Sequence, residues 1–327
     1  MKKTRHERPF PGRSLSPPGP GWRGASALLL PLFLGLGGCG STPPPRPKPL
    51  TREERDLFQQ AEMNLKAGRE AWWEAWKRIA LDPRRARFFA KGILAWLFAD
   101  FSRLEVSPDL FGRVLEENPR GLVWKRVLAG LERMGEPAVS VCMAFLKEGR
   151  DPIARGFGAQ VAGRLGPGIV PPLVDLLEEG SPLQAAAAAR ALGFHKESPQ
   201  AGKALLRAAK DASDYRVRGA ALRALGRYGG AEAGALLVET LRSEKDPFLV
   251  MEAAKGLGFL GEKRAVPALI AAMEKGLAGK NKRLVQAVEF ALQRITGRRF
   301  GPRPNLWKVW WAKEVQTGPA GGGEKKE

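Results

Sequence analysis

Six segments of one kind recur along the chain from about residue 118: LAGLERMG (128–135), QVAGRLG (160–166), ARALGFH (189–195), LRALGRYG (222–229), AKGLGFLG (254–261) and EFALQRITG (289–297). Their central residues, Leu131, Ala162, Leu192, Leu225, Leu257 and Leu292, lie 31, 30, 33, 32 and 35 positions apart. A period in this range marks a supersecondary unit that cannot bury its apolar face alone and must stack on its neighbours. Alternating runs of Val, Ile, Thr and Tyr are almost absent, whereas Ala, Leu, Gly, Lys, Arg and Glu dominate, so the units are helical. The expectation is an all-α chain, an α-solenoid of helical hairpins over 118–297.

Each unit has the same local grammar. Asp151-Pro152, Ser181-Pro182 and Asp246-Pro247 place an N-cap acceptor before a proline at the first helical position, and Asp214 does so without proline. An alanine-rich helix follows, as in LQAAAAARALG (183–193), and ends on a glycine turn. A second helix then starts on a Val-Pro step, as in IVPPLVDLL (169–177) and AVPALIAAM (265–273). This pattern resembles HEAT repeats, closest to the bacterial type named after phycobilisome lyases. The resemblance covers roughly 118–297. The arginine frequent near the start of the first helix in that type is kept at Arg155 and Arg218 and replaced at Ala185, Val250 and Val285, so a shared arginine ladder there is broken.

The flanks read differently. Thr51 and Glu54 form a capping box that opens a helical extension over 51–117, whose aromatic runs (Trp72, Trp73, Trp76, Phe88, Phe89, Trp96, Phe98, Phe101) are spaced as core. At the other end, Leu306, Trp307, Trp310 and Trp311 lie at helical spacing within 298–316 and suit a capping helix, because the last repeat has no neighbour on one face. The tail 317–327 has the composition of a disordered segment.

Residues 1–38 carry six basic residues and one Glu, then an apolar run of 12 residues from Ala25 to Leu36. A membrane-spanning helix needs roughly 20, so this is a signal segment rather than a span. Leu36-Gly37-Gly38-Cys39 resembles the lipobox of bacterial lipoproteins. That resemblance implies cleavage before Cys39, a diacylglycerol thioether on its sulfur and an acyl chain such as palmitate on the new N-terminus. Gly40 in place of Asp leans toward the outer membrane of the cell envelope, on the periplasmic face. Residues 39–50, with five prolines in STPPPRPKPL, then form an extended tether.

Net charge is +20, of which +15 remains after residues 1–38. Such a surface attracts anionic partners. Export makes nucleic acid an unlikely one and leaves a protein partner or an anionic envelope polymer. The first helices, expected to line a concave face, supply the candidate contacts Arg155, Arg164, Arg190, Arg216, Arg218, Arg223, Arg227 and Lys255. No catalytic set stands out. The body holds one cysteine, Cys142, in an apolar helical stretch, and one histidine, His195, in a turn expected to be solvated. Neither supports a metal site, and no cofactor motif is present. These observations favour a lipid-anchored binding scaffold without catalysis. The alternatives are an enzyme or enzyme accessory of the HEAT-like type, bilin-lyase-like or nucleic-acid-acting, and a purely structural envelope protein.

Overall fold

The computed structural model describes residues 50–108, 111–148 and 151–316. They form sixteen α-helices and no strands, as the repeat pattern requires. The signal segment, Cys39, the tether up to residue 49 and the tail from 317 lie outside the described residues.

The extension comprises α1 (Arg52–Ala67), α2 (Ala71–Ile79), α3 (Pro83–Ser102) and α4 (Phe111–Glu117). The capping box of α1 forms as expected: the Glu54 amide donates to Thr51 Oγ1 (3.2 Å) and the Thr51 amide donates to Glu54 Oε2 (2.9 Å). Helix α1 ends at Gly68, whose φ of +72° lies in the left-handed region. The aromatic runs supply core in part: Trp72, Trp76, Phe89 and Phe101 are buried, Trp73, Trp96 and Phe98 are partly buried, and Phe88, expected in the core, is exposed; Phe111 stacks on Trp124 at 5.9 Å with ring planes 9° apart. Asp100 lies in this apolar setting. It accepts a hydrogen bond from Trp124 Nε1–H (2.9 Å) and pairs with Arg120, so its burial is compensated by a donor and a counter-charge.

Helices α5 (Gly121–Met134) and α6 (Glu136–Glu148) follow. Helix α5, the first helix of the unit that begins near 118, packs chiefly on α1, α3 and α4. The regular array begins at α7 (Pro152–Ala162). Its first helices are α7, α9 (Pro182–Leu192), α11 (Tyr215–Tyr228), α13 (Pro247–Leu260) and α15 (Lys282–Thr296). Its second helices are α8 (Val170–Glu179), α10 (Pro199–Asp211), α12 (Ala231–Ser243) and α14 (Val266–Ala278). The N-caps form as read: carboxylate oxygens of Asp151, Asp214 and Asp246 accept from the amides of Ile153, Arg216 and Phe248 at 2.8–2.9 Å.

First helices pack on first helices more intimately than second on second. The small residues are the cause. A Cβ on Gly226 would stand 2.1 Å from the Gly256 carbonyl oxygen, and one on Gly258 would stand 2.8 Å from Ala291 Cα. Backbones therefore meet directly at these points, and the array closes up on its first-helix side.

Helix α16 (Pro304–Gln316) packs on α14. Trp307 is fully buried, donates from Nε1 to the Gly301 carbonyl (2.9 Å) and meets Phe300 edge-on at 4.8 Å. Trp310 and Trp311 pack partly buried against the core, while Leu306 is exposed. No helix among the described residues is long and apolar enough to cross a membrane.

Candidate functional site: an arginine and phenylalanine face

Counted from their N-caps (Asp151, Ser181, Asp214, Asp246, Asn281), the five first helices carry Ile153, Leu183, Arg216, Phe248 and Arg283 at position two. Position nine holds Gln160, Arg190, Arg223, Lys255 and Phe290. Position thirteen holds Arg164, Phe194, Arg227, Phe259 and Arg294. At roughly 100° per residue these three positions fall within about 40° of one another on a helix, as in α11, α13 and α15, while Arg164 and Phe194 stand in the turns just past the ends of α7 and α9. Nearly all of their side chains are partly or fully exposed, with Gln160 the buried member, whereas the intervening residues are largely buried. They form the open stripe of the first-helix layer.

Position thirteen alternates cation and ring. The Arg164 guanidinium carbon lies 5.2 Å from the Phe111 ring centroid and 4.8 Å from that of Phe194. Arg227 lies 5.1 Å from Phe194 and 4.3 Å from Phe259. Arg294 lies 5.3 Å from Phe259 and 5.8 Å from Phe290. Each such contact contributes about 0.5–2 kcal/mol, more as it is desolvated. Burial against the rings lowers Arg164 to about 10, far below the usual arginine range but still cationic at neutral pH. Arg164 also donates to the Gln160 carbonyl (2.6 Å), and Arg294 donates from Nε to the Gly258 carbonyl (3.2 Å). Stacking and these bonds fix the guanidinium planes across adjacent repeats.

Position nine adds charge. Glu252 is buried on this face, 2.6 Å from Lys255 Nζ and 3.9 Å from an Arg223 nitrogen. Arg190 and Arg227 add further positive charge to the same stripe. A planar, pre-ordered guanidinium beside an aromatic ring suits a carboxylate attached to an apolar or conjugated body.

The eight cations expected as contacts divide. Arg164, Arg190, Arg223, Arg227 and Lys255 stand at positions nine and thirteen of this stripe, and Arg216 at position two. Arg216 binds its own N-cap, donating to Asp214 from Nε (3.0 Å) and Nη2 (2.7 Å), and these bonds hold the Asp214 carboxyl down to about 2. Arg218 donates to the carbonyls of Ala212 (2.7 Å) and Ser213 (3.0 Å) and so ties its helix to the preceding turn. Arg155, at the equivalent position in α7, is half-buried. Residue types alone did not single out Phe194, Phe259, Phe290 and Arg294. For Phe194, Phe259 and Arg294 the signal was the fixed offset of two residues after the unit's central leucine, where Arg and Phe take turns; Phe290, at position nine, had no such signal.

His195 is not a solvated turn residue. Its Nε2 lies 3.2 Å from the Ala162 carbonyl, and burial lowers its pKa, a shift that this bond opposes. Cys142 is buried, and desolvation pushes its thiol up to about 12, which suits packing rather than nucleophilic attack. A cleft of about 470 Å³ opens between α8 and α10, lined by Asp175, Glu178, Gln200, Lys203 and Arg207. It is a mixed-charge surface in which Arg207 already pairs with Glu178.

A sequence model of HEAT repeats matches residues 139–226, 170–249 and 211–289. The array is built of HEAT repeats. The matched stretches run together from 139 to 289, short of half the chain, and coincide with the helices that carry the stripe. Repeats of this kind generally mediate protein interactions. The chain is also similar to phycocyanobilin lyase subunit alpha of Picosynechococcus sp., with 34% identity over 113 residues, which is 31% of this chain and 42% of the relative. The chain thus spans less than half the length of that relative. This similarity corrects the reading from composition and motifs. A scaffold without catalysis, and a chain that is no enzyme, were inferred from the lack of a recognisable catalytic set. The named relative is a lyase subunit.

Proposed function

We propose that this chain is an enzyme, or a subunit of one, of the HEAT-repeat lyase type, with its substrate held on the arginine and phenylalanine face. The observation that carries the reading is the similarity to a lyase subunit. The face supports it: guanidinium groups fixed between rings can bind the carboxylates of an anionic, conjugated substrate and cover its apolar body at once. This reading takes the place of a charged envelope polymer as the partner of the basic surface. Phycocyanobilin, named in the relative, serves as the probe. On adding it to the full chain, the visible absorption of the pigment should change and saturate with protein. A spectrum identical to that of the free pigment at every protein concentration overturns the reading.

We further propose that the enzyme is exported and held by lipid on Cys39 at the periplasmic face of a bacterial envelope membrane, with the outer membrane favoured. The lipobox-like Leu36-Gly37-Gly38-Cys39 and the proline tether support this. Acyl chains contribute about 0.8 kcal/mol per buried CH₂, so several chains hold a protein on a bilayer almost permanently. Cys39→Ser should move the chain from the membrane fraction to the soluble one and abolish incorporation of labelled palmitate. Retention of the variant in membranes, or absence of label on the unaltered chain, rules the anchor out.

A further inference from the structure

The stripe is longer than one small molecule occupies. Five first helices at about 8–10 Å between neighbouring axes extend over roughly 35–40 Å. It also has a second edge. At the N-terminal ends of four consecutive first helices stand Ile153 (49% exposed), Leu183 (46%), Tyr215 (47%) and the half-buried Phe248, with Tyr215 and Phe248 edge-to-face at 5.4 Å. Scattered exposed apolar residues need no explanation, but here Ile153, Leu183 and Phe248 share position two of their helices, and Tyr215, one residue before Arg216 at that position in α11, reaches Phe248, so an apolar residue stands at this edge in each of four repeats. Seven residues farther along the helices, about 10 Å away, runs the cationic line of Arg190, Arg223 and Lys255, with the arginine and phenylalanine line beyond it.

We propose that this face docks an amphipathic α-helix of a partner protein, lying across the first helices, apolar along one flank and acidic along the other. The register selects a helix. A heptad rises about 10.5 Å, close to the spacing between adjacent first helices, so equivalent side chains of a docked helix meet equivalent positions of successive repeats. Side chains on one face of a strand recur every ~7 Å and fall out of step with the array. Width agrees as well: a helix with side chains is about 10–12 Å across and spans the distance between the two edges. Charge selects the acidic flank, because away from the apolar edge the stripe carries Arg164, Arg190, Arg223, Arg227, Lys255 and Arg294. The docked helix belongs to the protein on which the enzyme acts or with which it assembles, so the inference rests on the reading of this face as the substrate surface.

The test uses the full chain in detergent and a fluorescein-labelled peptide of three heptads, leucine along one flank and glutamate along the other. A shuffled peptide of the same composition and phosphatidylglycerol vesicles serve as controls. Fluorescence anisotropy should show saturable binding of the patterned peptide, with the shuffled one at least ten-fold weaker. Leu183→Glu, at an exposed position, and Arg190→Glu should each weaken binding about ten-fold or more. Equal binding of both peptides means attraction to any polyanion and overturns the proposal. So does preference for the vesicles over the peptide, or indifference to both substitutions. A pigment spectrum that responds while the peptide fails leaves the lyase reading standing and removes the helix. Peptide binding with no pigment response does the reverse.

Discussion

Gly226→Ala unfolds the array at a temperature about 5–10 °C lower than the unaltered chain, although alanine is the better helix former. The added methyl gains about 1 kcal/mol of helix propensity. It also stands 2.1 Å from the Gly256 carbonyl oxygen and 2.4 Å from Gly256 Cα, both backbone atoms that cannot rotate away. Helices α11 and α13 must therefore separate, and the layer they anchor opens. Overpacking of this kind costs about 1–3 kcal/mol and more where backbone must move, so a net loss of about 2–3 kcal/mol follows. For a body of this size each kcal/mol moves the midpoint by about 2–4 °C. Gly168→Ala is the matched control, because a Cβ there meets nothing within 4 Å. Thermal unfolding followed by circular dichroism measures both. Equal midpoints for the two variants would show that first helices are not in backbone contact.

Trp307→Ala produces the largest loss, about 3–5 kcal/mol, concentrated at the C-terminal end. The indole is fully buried, satisfied by the Gly301 carbonyl and framed by Phe300 and Trp310. Its removal leaves a cavity and deprives the Gly301 carbonyl of its donor. Stability in repeat arrays is nearly a sum of units and their interfaces, so the damage should spread from α16 into α14 and fade toward α9. Hydrogen exchange reads this directly: amides of α14 to α16 lose protection, and those of α7 keep it. Trp311→Ala, at a half-exposed position, should have much the smaller effect. Uniform loss of protection throughout the array would contradict the local picture.

The repeat was legible because its signals are local. N-cap acids, the prolines after them, alanine-rich first helices and glycine ends all act within a few residues of themselves, and the structure places each where the spacing put it. Helix α5 was less legible. Its LAGLERMG segment matches the period, but Trp124 is engaged by Phe111 and Asp100, and these contacts draw α5 onto the extension. Asp100 carries no local signal in the sequence, since only its partners 20 and 24 positions away make it a buried anchor. The face was half legible. Basic residues were conspicuous, yet Arg216 and Arg218 are used up on a cap and a turn, while Phe194 and Phe259 were not singled out. Their meaning lies in contacts between repeats some 30 positions apart, which a single unit does not display. No catalytic motif is legible in the sequence, and the similarity to a lyase subunit is what overturns the reading of a passive scaffold.

If the alternating cations and rings of the first-helix layer hold the substrate of a lyase-type enzyme, as proposed, pigment binding must depend on them. A pigment titration of Arg227→Ala combined with Phe259→Ala tests it most directly, with circular dichroism confirming that the fold survives. The face predicts a half-saturation at least ten-fold higher than that of the unaltered chain. An unchanged half-saturation would place the pigment elsewhere and contradict the claim.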